Sequence, residues 1–273
     1  MLGNLLENVR TNAPLVHNIT NYVTVNDCAN ILLAAGGSPI MSDDLEEVEE
    51  ITALCGSLNI NIGTLNGRTI PAMFAAGKQA NACGRPVLLD PVGAGASRLR
   101  TVTALQLLEQ VRCSAIRGNV SEMKTLAQGS GSTKGVDADA VDAVTEQNLG
   151  EATAFAKGFA ARTGAVIAMT GAIDIVADSR EAYIIRNGHP LMGRITGGGC
   201  MLSAMTAAYL AANPRQPLAA VAAAVVAMGL AGELAATRLR EGEGNSTYRH
   251  HLIDAVYGLN GEALEKGARY EVR

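Results

Sequence analysis

Short β-rich runs alternating with longer helical stretches constrain the fold of this chain more than any other feature of its sequence. Candidate strands fall at 14–18, 38–41, 58–62, 86–90, 114–117 and 165–170. Helical patterns at 24–35, 44–55, 67–82, 98–112, 119–127 and 148–162 separate them, many closed by glycine in the manner of a C-cap. Alternation of this kind implies βαβ crossovers, hence a mostly parallel sheet with helices on both faces. The pattern then changes. Segments 174–178 and 181–186, joined by Asp178-Ser179-Arg180, predict a hairpin, and three helices are expected at 199–212, 217–238 and 250–267. No Pro/Ser-rich linker or charge block divides the 273 residues, so one α/β domain spanning 1–273 is expected. Segment 129–147 is Gly/Ser/Asp-rich and reads as an exposed loop.

The chain carries 22 Lys and Arg against 26 Asp and Glu, a formal net charge of −4 with no basic stripe, which argues against nucleic acid as a partner. The opening MLGNLLENVRTNAP lacks the basic start and continuous apolar core of a secretory signal, and a cytoplasmic location is expected. Leu218 to Gly232 is free of charge but alanine-rich, and it meets Glu233 short of the ~20 apolar residues that span a bilayer. It reads as a buried helix, with no membrane partner. The 5 cysteines include no C-x-x-C pair, so reduced thiols are expected in place of a disulfide framework or zinc site. Cys28, Cys55, Cys83 and Cys113 are nearly evenly spaced in unlike surroundings, which matches the recurring length of a βα unit.

Chemistry concentrates where strands end. In open parallel sheets ligands sit beyond the carboxyl ends of the strands. Here those ends carry Asn18, Met41, Gly63, Asp90, Arg117 and Thr170. The run Arg194-Ile195-Thr196-Gly197-Gly198-Gly199-Cys200-Met201 leads into a small-residue helix, so backbone N–H groups and the helix dipole converge on one point and attract an anion. Cys200 falls at or near the first turn, where the same field favours thiolate over thiol. Otherwise the run is a flexible turn with a buried cysteine behind it.

Other motifs discriminate less. LLDPVGAGAS (88–97) places Asp90 at the end of an apolar strand, where it serves either as a magnesium or water ligand or as a turn residue. A dinucleotide fingerprint would need glycine where Arg98 stands. GSGSTKG (129–135) has no glycine before Lys134 and no strong strand leading in, so it is rejected as a phosphate loop. In Gly118-Asn119-Val120-Ser121-Glu122, Asn119 and Glu122 share a helix face, either as a capping box or with Glu122 held toward a Mg²⁺–phosphate site. Arg117 offers a planar cation for phosphate oxygens, or a surface ion pair.

The stretches VHNITNYVTVNDCANILLAAGGSPIMSD, NINIGTL, LLDPVGAGAS, IRGNVSE, AMTGAIDIVAD and ITGGGCMLSAM, in this order over almost the whole chain, resemble the hydroxyethylthiazole kinase family of the ribokinase-like superfamily. The resemblance implies a three-layer αβα sandwich and ATP- and Mg²⁺-dependent phosphorylation of the hydroxyl of 4-methyl-5-(2-hydroxyethyl)thiazole, in thiamine biosynthesis or salvage. It also implies a homotrimer with thiazole sites between subunits. By motif, Met41 and Gly197 would contact the thiazole, Arg117 and Thr170 would bind ATP, and Asp90 and Glu122 would organise magnesium. Cys200 takes the place of the aspartate base of related sugar kinases. Two departures stand out. Gly198 replaces a threonine of the family's Thr-Gly-Thr-Gly-Cys, and Glu243-Gly244-Asn245-Ser246-Thr247-Tyr248 replaces a Gly-Pro-Gly-Ser-Phe stretch. Competing readings are a related kinase acting on a pyrimidine or pyridoxine alcohol, and a catalytically silent nucleotide-binding protein.

Overall fold

A computed structural model describes residues 2–129 and 143–273. Most of the Gly/Ser/Asp-rich stretch, with Lys134, lies outside the described residues. The strands are β1 (Leu15–Ile19), β2 (Ser38–Met41), β3 (Ser57–Asn61), β4 (Val87–Asp90), β5 (Ala115–Asn119), β6 (Val166–Thr170), β7 (Asp174–Ala177), β8 (Ala182–Ile185) and β9 (Tyr270–Val272). They form a 9-stranded sheet of order β2-β1-β3-β4-β5-β6-β7-β8-β9. Pairing is parallel from β2 through β6 and antiparallel from β6 to β9.

Strand alternation sends side chains into two separate cores, so the sheet is the middle of three layers. On one face pack α1 (Leu2–Asn12), α2 (Val25–Ala35), α8 (Gly198–Ala212), α9 (Pro217–Thr237), α10 (Asn245–Gly258) and α11 (Gly261–Gly267), around strand residues such as Val16, Leu88, Ala115 and Ala168. On the other face lie α3 (Val48–Leu54), α4 (Thr69–Ala82), α5 (Arg98–Gln110), α6 (Val120–Gln128) and α7 (Leu149–Thr163), against Leu58, Ile60, Leu89 and Ile167. This is the α/β sandwich expected from the sequence.

Two elements, α1 and β9, add to the sequence reading, and its last helix is corrected. The opening segment forms α1, whose Leu2, Leu5, Leu6 and Val9 are buried at helical spacing. The last expected helix is two, because Leu259 is extended and the Asn260 side chain accepts from the Ala263 N–H to start α11. The short β9 then returns to the sheet beside β8.

The face against α8 explains the site. Leu88 points to the α8 side, and so by strand period does Asp90. Leu58 and Ile60 point away from it, which turns Asn59 and Asn61 toward it. The small side chains of α8 leave room for these polar groups. Helix α9 is long and apolar enough to cross a bilayer, yet 78% of its most apolar stretch is buried inside the fold, packed on α8 and α10, and it acts as a core helix.

Candidate active site

The first helical turn of α8 faces the carboxyl ends of β3 and β4. Gly197, the residue before the helix, has φ +84°, and a Cβ there would lie 2.7 Å from the Thr24 methyl group. Glycine alone takes that conformation without strain. The helical ladder opens with the Met201 N–H bonding the Gly197 carbonyl at 2.8 Å. The N–H groups of Gly198, Gly199 and Cys200 precede that ladder, at the positive end of the helix.

Asp90 is fully buried at the end of β4. Its Oδ2 accepts from Asn61 Nδ2 and from Ser203 Oγ, each at 2.8 Å. Its Oδ1 has no hydrogen-bond partner and lies 3.8 Å from Arg117 Nη1. Burial pushes the Asp90 carboxyl up to about 6, against the pull of the Arg117 charge and with a further push from Glu122.

Arg117, in β5, donates through Nη2 to Thr170 Oγ1 at 2.7 Å, at the end of neighbouring β6. Arg117, Thr170, Gly198 and Gly199 line one cleft of about 620 Å³, together with Asp174, Asn187, His189 and Met228. Gly199 is glycine because a Cβ there would run into the Arg117 guanidinium. Burial pushes the Asp174 carboxyl up to about 7, opposed by a hydrogen bond from the Gly171 N–H and by Arg117.

Glu122 forms the capping box that its spacing allowed. Its Oε2 accepts from the Asn119 N–H at 2.8 Å, while Asn119 Oδ1 accepts from the Glu122 N–H. Its Oε1 also accepts from the Gly93 N–H at 2.8 Å, so this carboxylate ties α6 to the glycine turn after β4. One acceptor site on each oxygen remains.

The described residues hold no group of three or more His, Cys, Asp or Glu suited to a metal cage. An orphaned Asp90 oxygen with Glu122 nearby fits instead a magnesium ion that keeps most of its water and arrives with a nucleotide.

Cys200, 9% exposed, follows the cleft-lining Gly199, and its Sγ accepts from Asn21 Nδ2 and Asn61 Nδ2, both at 3.3 Å. Thus Asp90, Arg117, Thr170, Glu122 and the Gly197–Cys200 turn come together. Met41 does not join them. It ends the edge strand β2 beside Asn18, half-buried, with β1 and β3 between it and Asp90. Asn21, Asn61 and Ser203 were not singled out from the sequence. The available signal was polar residues at inward positions of apolar elements, which needs the facing direction to be interpreted.

A glycine-led helix set against a buried aspartate and a cleft arginine, at the carboxyl edge of a parallel sheet between two helical layers, defines a phosphotransferase of the ribokinase-like class. The sequence profile of the hydroxyethylthiazole kinase family matches residues 6–262, and the chain belongs to that family. It is 62% identical to the hydroxyethylthiazole kinase of Clostridium acetobutylicum over 271 residues, covering 99% of each chain. The structure of a hydroxyethylthiazole kinase protein from Pyrococcus horikoshii superposes with a TM-score of 0.88 at 36% identity, over 100% of this chain and 98% of that one. A ribokinase-like superfamily protein from Enterococcus faecalis, 14% identical with a TM-score of 0.60 over 93% of this chain and 88% of that one, shares the fold.

Proposed function

We propose that this chain transfers the γ-phosphoryl group of ATP to the hydroxyl of the hydroxyethyl thiazole, as one kinase domain of the cytoplasm serving thiamine biosynthesis. The observation that carries the reading is the first turn of α8, whose Gly198 and Gly199 precede the helical ladder and line the cleft with Arg117, the partner of Asp90. Family membership supplies the substrate. Five free cysteines suit a reducing compartment.

Phosphoryl transfer asks a protein chiefly for position and charge neutralisation. Arg117 and Thr170 hold the nucleotide phosphates from the β5 and β6 side, while the Gly197–Cys200 turn stabilises the equatorial oxygens. Asp90 and Glu122 would hold magnesium, which supplies charge neutralisation of the polyphosphate when bound. Gly197 and Met41 contact the thiazole, and Cys200 accepts the alcohol proton. A thiolate is a far weaker base than an alkoxide, so that proton moves late, once the oxygen–phosphorus bond is forming.

Met41 at a sheet edge suits a site completed by a neighbouring subunit. Tyr22, Val23 and Leu45, on the loops flanking that edge, are exposed at 77%, 55% and 50% and offer the apolar surface for a homotrimer. Incubation of the purified chain with ATP, Mg²⁺ and the thiazole alcohol yields the thiazole phosphate by mass. No product, with active coupling controls, sinks the reading. Sedimentation gives three times the 28.2 kDa chain mass; a fully active monomer contradicts shared sites.

A further inference from the structure

We infer that the side-chain amides of Asn21 and Asn61 form a two-donor cradle that aims the Cys200 sulfur and stabilises the negative charge it carries into proton transfer. The inference rests on the reading of Cys200 as proton acceptor.

Hydrogen counting fixes both amides. Asn21, in the turn between β1 and α2, accepts through Oδ1 from the Thr24 N–H at 3.2 Å and the Thr24 hydroxyl at 3.1 Å. Its Nδ2 is therefore the donor, toward Asn61 Oδ1 at 3.0 Å and Cys200 Sγ at 3.3 Å. Asn61, ending β3, accepts through Oδ1 from the Gly63 N–H at 2.9 Å as well. Its Nδ2 then faces Asp90 Oδ2 at 2.8 Å and Cys200 Sγ at 3.3 Å. Each amide has two hydrogens and two acceptors within reach. Turning Asn61 over would set its carbonyl against the Asp90 carboxylate and its NH₂ against the Gly63 N–H, so the partners decide the orientation.

Two N–H donors converging on one sulfur favour the state with charge on it. Hydrogen bonds to an ionised acceptor are the stronger kind, and more so where water is excluded. Asn21, Asn61, Asp90 and Cys200 are all buried. Among the described residues, both hydrogen bonds at Sγ are ones it accepts. In the reaction the alcohol O–H bond breaks and an S–H bond forms. The electron pair left on oxygen makes the new bond to phosphorus, and ADP departs with the pair of the broken P–O bond. Asn61 spends its other hydrogen on Asp90, so its loss disturbs two groups. Asn21 touches only the sulfur and Asn61 through its amide hydrogens, which makes it the cleaner probe. Both are positioning residues acting through Cys200.

The test places Asn21→Ala and the near-isosteric Asn21→Asp in the wild-type and Cys200→Ala backgrounds. Steady-state constants are measured over pH, with iodoacetamide alkylation of Cys200 followed by peptide mass spectrometry. In the wild-type background either change lowers kcat about tenfold, leaves KM for ATP unchanged, moves the acid limb of kcat to higher pH and slows alkylation by a similar factor. In the Cys200→Ala background the same changes cost less than about twofold, because the group they act on is gone. Thr24→Val, which removes the hydroxyl that bonds Asn21 Oδ1 and accepts from Cys28 while keeping the Thr24 N–H bond to Asn21, gives the same pattern in weaker form and serves where an Asn21 variant does not fold. Equal losses in both backgrounds with unchanged alkylation make Asn21 a packing residue and overturn the inference. A fully active Cys200→Ala removes the proton acceptor and overturns the inference together with the reading it rests on, and slowed alkylation in Asn21→Ala tells that failure apart from a failure of the amide contacts.

Discussion

Ser203, one helical turn beyond the glycines of α8, donates a 2.8 Å hydrogen bond to the Asp90 carboxylate at the end of β4. That bond fastens the start of α8 to a fully buried carboxylate at the sheet edge. It joins the carboxyl edge of the sheet to the small-residue helix α8 packed on it.

Ser203→Ala tests this link. The bond holds the Asp90 carboxyl lower than burial alone would place it. Above the Asp90 value of about 6 the hydroxyl bonds a charge, and below it a neutral acid. Loss of the bond should cost about 1–3 kcal/mol at pH 8 and less at pH 5. Urea unfolding at the two pH values measures the difference; a deficit independent of pH would detach Ser203 from the Asp90 charge.

Arg117→Ala should raise KM for ATP by about tenfold or more, since the guanidinium lines the cleft beside Thr170. It also leaves the buried Asp90 without its opposing charge. The variant should therefore lose stability at neutral pH and recover it as the pH falls and Asp90 protonates. Nucleotide titration and melting curves at pH 5 and pH 8 check both parts; an unchanged KM for ATP removes Arg117 from the nucleotide site.

Legibility in the sequence followed sequence distance. The βα alternation and the edge residues Asp90 and Thr170 were readable because each of the two ends its own strand, a local signal; Arg117 was read as a strand end too, but β5 continues two residues past it to Asn119. The Gly197–Cys200 turn was readable because glycines before an apolar helix carry a backbone meaning. Asn21 and Asn61 gave no such signal. They bond each other and Cys200 across segments 40, 139 and 179 residues apart, and only the packing of α8 on β3 brings them together. Glu122 took its capping-box reading locally, and the structure assigned its second oxygen to the Gly93 N–H, 29 residues away. The cleft-lining Asn187 and His189 come after the antiparallel β8, beyond the parallel edge on which the sequence argument relied.

His17 sets an acid limit to stability. Fully buried in β1, its Nε2 donates to the Ser42 carbonyl at 3.0 Å, and its Nδ1 lies 2.8 Å from the Thr52 hydroxyl. Burial moves its pKa below the ordinary 6.5, against the Ser42 bond and the Glu47 charge. Between the two values the unfolded chain binds a proton that the folded chain does not, so stability is full above about pH 6.5 and falls as pH drops. His17→Gln should flatten this slope in urea titrations between pH 7.5 and 5.5. An unaltered slope would assign the acid sensitivity to other groups.

The three glycines before Cys200 should respond to alanine in three different ways. At Gly197 the φ of +84° and the nearby Thr24 methyl oppose any side chain, so Gly197→Ala should destabilise by about 1–3 kcal/mol and disturb the helix start. At Gly199 a Cβ would displace the Arg117 guanidinium, so Gly199→Ala should mainly raise KM for ATP while the fold persists. Gly198 differs from both. A Cβ there would meet only the Met192 carbonyl oxygen, at 3.7 Å, an ordinary contact. Gly198→Ala should therefore be neutral or stabilising by about 0.4–1 kcal/mol, through reduced freedom of the unfolded chain. Gly198→Thr, the family's residue at this position, should likewise fold and remain active. Melting temperature and steady-state kinetics on the four variants give the order directly; a Gly198→Ala variant as damaged as Gly197→Ala would show that the turn needs glycine throughout.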